Sequence, residues 1–352
     1  MAEHPRSILA VKIGGIGDAV VVVPALRSLR SAFPAARIAL LGRPVQEEIL
    51  RGCPFVDEFL SEELLGSGNP LSALHPRFPG LLWRLRRGRF DAIVFLQHVA
   101  SAGGALKYGV LARASGAPER IGLDTRGRGW FLTKKVQDEE RPSVHEVATY
   151  LRVAEAAGAR GGSSRTELWI SGEERSRASE FLGPVEGPLV CLNPGGARAS
   201  RWWPAERFAR VADELAREFG AGIAILGGRA EKGLARRVAG MMKTRALDLA
   251  GRLSVRELAA AIDRADLLIS NDTGAFHVAA ALGRPTVGIF GPGEFKKWAE
   301  YGLGHVATAR GDADCAPCYK RRCRRHICME SIETEQVLSA ARGLLSGGGR
   351  DG

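Results

Sequence analysis

The sequence predicts a two-domain α/β protein in which each domain is a parallel sheet covered by helices. Three observations point there. Short apolar runs alternate with amphipathic helical patterns, the rhythm of strands in a parallel sheet. The chain has 352 residues, which suits two domains of ordinary size. The turn-rich stretch Gly183-Pro184-Val185-Glu186-Gly187-Pro188 has no periodicity, and the alternation restarts after it. The expected division is a first domain over 1–183, a second over 184–330, and a final helix with a disordered Gly-rich tail over 331–352.

In the first half, 8–13, 37–41 and 91–96 read as buried strands, and 18–33 reads as the helix that follows the first of them. The stretch 61–88 is irregular and rich in Gly, Pro and Arg, with a short helix near 81–86. A helix over 144–157 closes the domain. In the second half, strands are expected at 189–192, 222–226, 247–249, 266–270 and 286–290. Helices are expected at 204–219, 232–242, 255–263 and 275–282. Pro204 suits a first helical position, where its missing N–H costs nothing. Ser254 with Glu257 forms a capping box.

Composition narrows the class. Hydrophobic residues make up 45% and charged residues 25%, which is globular. No apolar run reaches the roughly 18–20 residues that cross a bilayer. Residues 1–7 are polar and lead straight into a strand, so no secretory signal is read and a cytoplasmic protein is expected. Lys plus Arg is 50 against 39 acidic residues, a formal net charge of +11. That balance fits nucleic acid, an anionic membrane surface or anionic substrates, and does not choose among them. The densest cluster is Lys320-Arg321-Arg322 with Arg324-Arg325.

Three loops carry candidate chemistry, each after a strand and before a helix. The first is Gly14-Gly15-Ile16-Gly17-Asp18. It departs from a dinucleotide fingerprint because Val20 replaces the third glycine and no acidic residue ends the second strand. It is not a P-loop, since no Lys-Ser/Thr pair follows. Asp18 reads either as a helix cap or as a carboxylate at the carboxyl edge of a sheet, where a general base could work. The second loop is Asp272-Thr273-Gly274, running on to His277. Helix-start N–H groups, the Thr273 hydroxyl and a glycine without bulk suit a diphosphate. The third is Asn193-Pro194-Gly195-Gly196, followed by Arg198 and Arg201-Trp202-Trp203-Pro204, where Arg201 can make bidentate phosphate contacts.

Two further patterns invite metal. Cys315, Cys318, Cys323 and Cys328 have spacing compatible with a structural zinc, against the alternative of a reduced, basic surface loop. Asp312-Ala313-Asp314 looks like a metal-binding D-x-D, but it lies in a polar loop. Cys53 and Cys191 are isolated and read as buried and inert. Nucleic-acid binding by the basic loop is not expected, because Tyr319 is its only aromatic residue.

Taken together, the motifs resemble the heptosyltransferases of glycosyltransferase family 9, the ADP-heptose:lipopolysaccharide enzymes. The likeness rests on Val11-Lys12 through Gly17-Asp18, Pro24-Ala25-Leu26, Asn193-Pro194-Gly195, Arg201-Trp202-Trp203-Pro204, Gly227-Gly228, Asp272-Thr273-Gly274 with His277, and Gly291-Pro292. It implies a GT-B fold of two Rossmann-like domains facing across a cleft, the acceptor on the first and the nucleotide sugar on the second. It also implies an inverting, metal-independent transfer that needs no cofactor. By motif, Asp18 is then the base and Lys12 lies near the acceptor. Arg201 stands where relatives commonly have a basic residue, often lysine, on the donor diphosphate. Thr273 and Gly274, with Asp272 and His277 beside them, hold the diphosphate. Glu231 falls at the nucleotide ribose and Leu253 near the adenine. A related Cys-Pro-Cys loop is common where the cysteine cluster lies.

The expected partners are an ADP-sugar, an anionic lipid-linked glycan, and the cytoplasmic face of the inner membrane through peripheral contact. Two other readings stay open: the same fold acting on a different nucleotide sugar or acceptor, and a non-enzymatic basic protein that binds nucleic acid or zinc.

Overall fold

A computed structural model describes residues 5–64, 75–138, 144–299, 303–315, 317–318 and 320–347. Two compact units divide the chain, Met1–Glu167 and Leu168–Gly352. Tyr319 and residues 348–352 of the expected tail lie outside the described residues.

The first unit runs β1 (Ser7–Val11), α1 (Ile16–Ala32), β2 (Arg37–Gly42), α2 (Pro44–Ile49), β3 (Glu58–Ser61), α3 (Phe78–Arg87), β4 (Ala92–Phe95), α4 (Ala102–Ser115), β5 (Glu119–Asp124), β6 (Lys134–Gln137) and α5 (Glu146–Ala156). Its strands form one parallel sheet, ordered β3-β2-β1-β4-β5-β6. All five residues of β1 are buried, as a strand covered by helices on both faces requires. Leu9, Val11, Ile93 and Phe95 meet Leu81 and Leu85 of α3 and Leu111 of α4 in a single core. Each such side chain contributes on the order of 1.5–3 kcal/mol by leaving water.

The second unit runs α6 (Gly172–Leu182), β7 (Leu189–Asn193), α7 (Ala205–Phe219), β8 (Gly222–Ile225), α8 (Lys232–Met241), β9 (Ala246–Asp248), α9 (Val255–Arg264), β10 (Leu267–Asn271), α10 (Gly274–Ala281), β11 (Thr286–Phe290), α11 (Phe295–Trp298), β12 (Val306–Arg310), α12 (Ile327–Glu330) and α13 (Thr334–Gly347). Its parallel sheet has the order β12-β11-β10-β7-β8-β9. The capping box of α9 is present, with Ser254 Oγ accepting from the Glu257 N–H. Pro204 is the cap ahead of α7 and not its first helical residue.

The division between units falls earlier than the turn at 183–188. After α5 the chain runs back along α1, where Arg27 donates to the Ser163 carbonyl at 2.9 Å and pairs with Glu167. Beyond that point the contacts change owner. Arg256 of α9 binds Glu174 through two bonds of 2.7 and 2.6 Å and also reaches the Trp169 carbonyl. Helix α6 therefore belongs to the second unit. So does α13, which packs against α7 and the β11–β12 edge and was expected as a separate terminal segment.

Both sheets reverse their winding beside the first strand of the unit, between β1 and β4 and between β7 and β10. Loops that leave the carboxyl ends of such neighbouring strands stand side by side, and ligands bind there in open α/β sheets. All three loops singled out in the sequence emerge at one of these two points.

Candidate functional site

In the first unit, the loop after β1 folds Asp18 back over its own glycines. Asp18 Oδ2 accepts from the Gly15 N–H at 2.9 Å. A Cβ at Gly14 would collide with the Asp18 carboxylate, so glycine is required there for close packing and no dinucleotide is needed to explain it. Lys12, at the end of β1, is 1% exposed, and its ammonium lies 2.9 Å from Asp18 Oδ1. The Asp18 side chain keeps 31% of its surface open, enough to meet a substrate. Burial works to raise the Asp18 pKa, but the Lys12 charge and hydrogen bond, together with the Gly15 N–H, outweigh it. The carboxyl is held below its ordinary range and is ionised at neutral pH.

Sequence reading missed what stands behind Lys12. Its Nζ donates to Tyr150 Oη at 2.6 Å, and Tyr150 in turn donates to Glu146. Glu146 is 2.9 Å from His98 Nε2, whose Nδ1 lies 2.7 Å from Asp138. A chain of ionisable groups thus runs from Asp18 into the unit, built from the ends of β1, β4 and β6 and the start of α5. Burial, with the nearby charges of Glu146 and Asp18, pushes the Tyr150 hydroxyl far up, so it stays protonated and acts as a donor. Only Lys12 carried a sequence signal. Its partners lie up to 138 positions away, and no local motif marks them.

In the second unit, register sets Asn193 beside Ser270. Asn193 Nδ2 donates to Thr273 Oγ1 at 2.8 Å, and Ser270 Oγ lies 3.1 Å from the same hydroxyl. Thr273 is the N-cap of α10 but makes no side-chain cap, so the helix start is left for another acceptor. Asn271 Nδ2 holds the Pro194 carbonyl at 2.6 Å, which ties the third loop to the second. Arg201 pairs with Asp272, one residue before that N-cap. Burial raises the Asp272 pKa, while Arg201 and Arg198 oppose it. Asp272 therefore faces Arg201 and orients its guanidinium, with its own carboxylate committed to that pair.

Glu231 accepts from the N–H groups of Gly196 and Gly228 and so bridges two loops. A Cβ at Gly195 would run into this carboxylate. Leu253 is half-buried in the turn before α9. His277 is 4% exposed, with its ring 5.8 Å from that of Trp298. It lies inside the unit and presents little surface to a ligand.

Comparison with known proteins decides the family. The model of "Glycosyltransferase family 9 (heptosyltransferase)" matches residues 81–328, well over half of the chain. The chain belongs to glycosyltransferase family 9. It is a glycosyltransferase with the GT-B type of fold. It is 25% identical over 345 residues to lipooligosaccharide heptosyltransferase 2 of Campylobacter jejuni, covering 94% of this chain and 95% of that one. Among solved structures, it is similar to a family 9 glycosyltransferase of Veillonella parvula, with TM-score 0.79, 25% identity and 97% coverage of both chains. It also shares its fold with the E. coli ADP-heptose LPS heptosyltransferase II, with TM-score 0.77, 22% identity, and coverage of 97% of this chain and 99% of the other.

In this family 9 enzyme the basic cysteine loop is tied to the loops that follow β7 and β11, a placement its sequence alone did not suggest. The Cys318 N–H donates to the Pro292 carbonyl at 2.6 Å. Ser200, next to Arg201, donates from Oγ to the Lys320 carbonyl at 2.6 Å and from N–H to the Arg321 carbonyl at 3.2 Å. The cationic run is thereby clipped beside the Arg201–Asp272 pair. Cys315 is exposed, Cys318 and Cys323 are half-buried, and Cys328 is buried. No three His, Cys, Asp or Glu side chains among the described residues converge in a metal-holding group, so the geometry adds nothing to the zinc expectation. Asp312 is 87% exposed and pairs with Arg310.

The Lys12–Asp18 pair makes a pH prediction for the enzyme. In Lys12→Met, burial of Asp18 persists while its cationic partner is lost, so the carboxyl pKa rises. The acidic limb of the kcat/KM profile then moves to higher pH than in the wild type. An unmoved limb in a folded variant contradicts the role given to Lys12.

Proposed function

We propose that this family 9 enzyme transfers heptose from ADP-heptose to the inner core of lipopolysaccharide, with inversion and without a metal. The names of its relatives support the substrate class: the C. jejuni protein is a lipooligosaccharide heptosyltransferase, and the E. coli structure is an ADP-heptose LPS heptosyltransferase. One observation carries the reading. Arg201 is locked by Asp272 beside the uncapped start of α10, with the Lys320–Arg321 backbone clipped against the same loop. That is a seat for a diphosphate that departs with negative charge.

The chemistry follows as a single displacement. The acceptor hydroxyl attacks the anomeric carbon, the bond to the diphosphate breaks, and ADP leaves. The hydroxyl proton passes to the Asp18 carboxylate, which is ionised at neutral pH. A carboxylate of depressed pKa is a weak base, so this proton moves late, after bond formation has made the hydroxyl acidic. Charge growing on the leaving diphosphate meets Arg201 and the helix N–H groups, which are in place before reaction. Glu231 is assigned to the ribose and Leu253 to the adenine face. Inversion is the outcome of one direct displacement with one base. The acceptor is lipid-linked, which sets the reaction at the cytoplasmic face of the inner membrane; among the described residues no helix is long and apolar enough to span one.

The test is a melting-temperature panel of nucleotide diphosphates. ADP and ADP-heptose are expected to stabilise the enzyme, by about 2.7 kcal/mol at a hundred times Kd. Failure of every nucleotide diphosphate to raise the melting temperature removes the donor site.

A further inference from the structure

We propose that the outer face of α3 and α4, together with Trp130, is a docking surface for an anionic lipid bilayer. The first observation is apolar exposure in the wrong place. Helix α4 buries Ala105, Tyr108, Leu111 and Ala112, yet its exposed stripe carries Leu106 and Val110, 62% and 37% exposed. A helix that only met water on that side would carry polar residues there. Trp130 is 61% exposed, and a Cβ at Gly109 would stand 2.7 Å from its ring, so the indole lies across α4 next to Val110. Trp83 on the neighbouring α3 is 58% exposed. Four large apolar side chains thus share one side of the first unit.

The second observation is charge. Helices α3 and α4 carry Arg84, Arg86, Arg87, Lys107 and Arg113 and no acidic residue. Arg84 is neutralised by Glu62, whereas Arg86, Arg87 and Arg113 make no ion pair among the described residues. Arg87 stacks on Trp83 at 4.7 Å. Between the helices and Trp130 lies a groove of about 660 Å³, lined by Arg86, Arg113, Arg120, Trp130 and Phe131 among others. An arginine-lined groove beside exposed Trp130, Leu106 and Val110 fits a lipid phosphate and the start of its acyl chains.

Aliphatic Leu106 and Val110 separate a bilayer from nucleic acid. They gain by entering the acyl boundary and offer no face for base stacking. Leu106 lies in the second turn of α4, which follows β4, so it sits toward the carboxyl edge of the sheet that also carries Asp18. Docking this face brings the acceptor end of the unit to the membrane, and its biological sense rests on the lipid-linked acceptor proposed above.

The experiment is co-sedimentation of the full chain with phosphatidylglycerol-containing and with pure phosphatidylcholine vesicles, with neither donor nor acceptor present. Binding is expected only to the anionic vesicles, weakening as salt rises. It should fall at least roughly tenfold in the W83S/L106S/W130S variant and in R86E/R113E, which changes charge without removing apolar surface. Both variants should transfer sugar to a soluble, delipidated acceptor as the wild type does. Wild-type affinity in both variants overturns the proposal. So does displacement of vesicles by RNA, or a dimer in solution that is lost in the triple variant. Because no sugar transfer enters the vesicle measurement, a failure here and a failure of the transferase reading are told apart.

Discussion

Asp18→Asn is expected to lower kcat by about 10²–10⁴-fold while leaving the affinity for ADP unchanged. The amide keeps an oxygen for the Gly15 N–H and keeps the side-chain volume, so the loop after β1 is preserved. What disappears is the capacity to take a proton. The substitution also removes an ionised partner from the buried Lys12 ammonium, leaving it on Tyr150. Thermal stability should therefore drop at neutral pH. The sign of its pH dependence follows from the depressed Asp18 pKa. The stability of the pair is present above the unfolded carboxyl value and is lost as pH falls through the folded one. The stability difference between wild type and variant should shrink in acid, whereas the loss of kcat at neutral pH remains. A variant that melts lower but turns over normally would show that Asp18 is structural only.

Arg201→Ala is expected to cost about 10²–10³-fold in kcat/KM. Two effects add. The leaving diphosphate loses a guanidinium fixed beside the helix start, and Asp272, 7% exposed, loses its principal partner. Burial already raises the Asp272 pKa, and removing Arg201 raises it further, leaving Arg198 as the remaining cation in its field. The affinity for ADP should fall while that for adenosine stays the same, because the proposed site gives Arg201 to the phosphates alone. Arg201→Lys keeps the charge but loses the planar guanidinium whose terminal nitrogen pairs with Asp272, so it should recover part of the activity. Equal weakening of ADP and adenosine binding would point to collapse of the loop.

The central strands of both sheets were legible because they are buried on both faces and carry apolar runs, as in Ile8-Leu9-Ala10-Val11. Strands β3, β5, β6 and β12 were not. Lys134–Gln137 is charged and mostly exposed at the edge of the sheet, and three of the six residues of Glu119–Asp124 beside it are charged. Helix α4 escaped notice for the reason that makes it interesting: its exposed stripe is apolar, so no amphipathic period marks it. The boundary between units was misplaced because turn chemistry at 183–188 is local, whereas the clamps by Arg27 and Arg256 that set it are not.

At the site, the loops were legible and their internal wiring was not. Glycine and threonine after an apolar strand mark a helix start, whose free N–H groups suit an anion. That Asp272 serves Arg201, that Glu231 bridges Gly196 and Gly228, and that Lys12 stands in front of Tyr150 and Glu146 are long-range facts. The Gly14–Asp18 contact shows the same limit at short range. A glycine that suggests a ligand in the sequence makes room for a carboxylate in the fold.

The most direct test is transfer from ADP-heptose to a delipidated inner-core acceptor, carried out in a metal chelator with wild type and Asp18→Asn side by side. Wild type should release ADP in step with a product carrying one added heptose, its anomeric configuration inverted relative to the donor by NMR, and the variant should release almost none. Retention of configuration, or comparable turnover by Asp18→Asn, would contradict a single displacement assisted by Asp18.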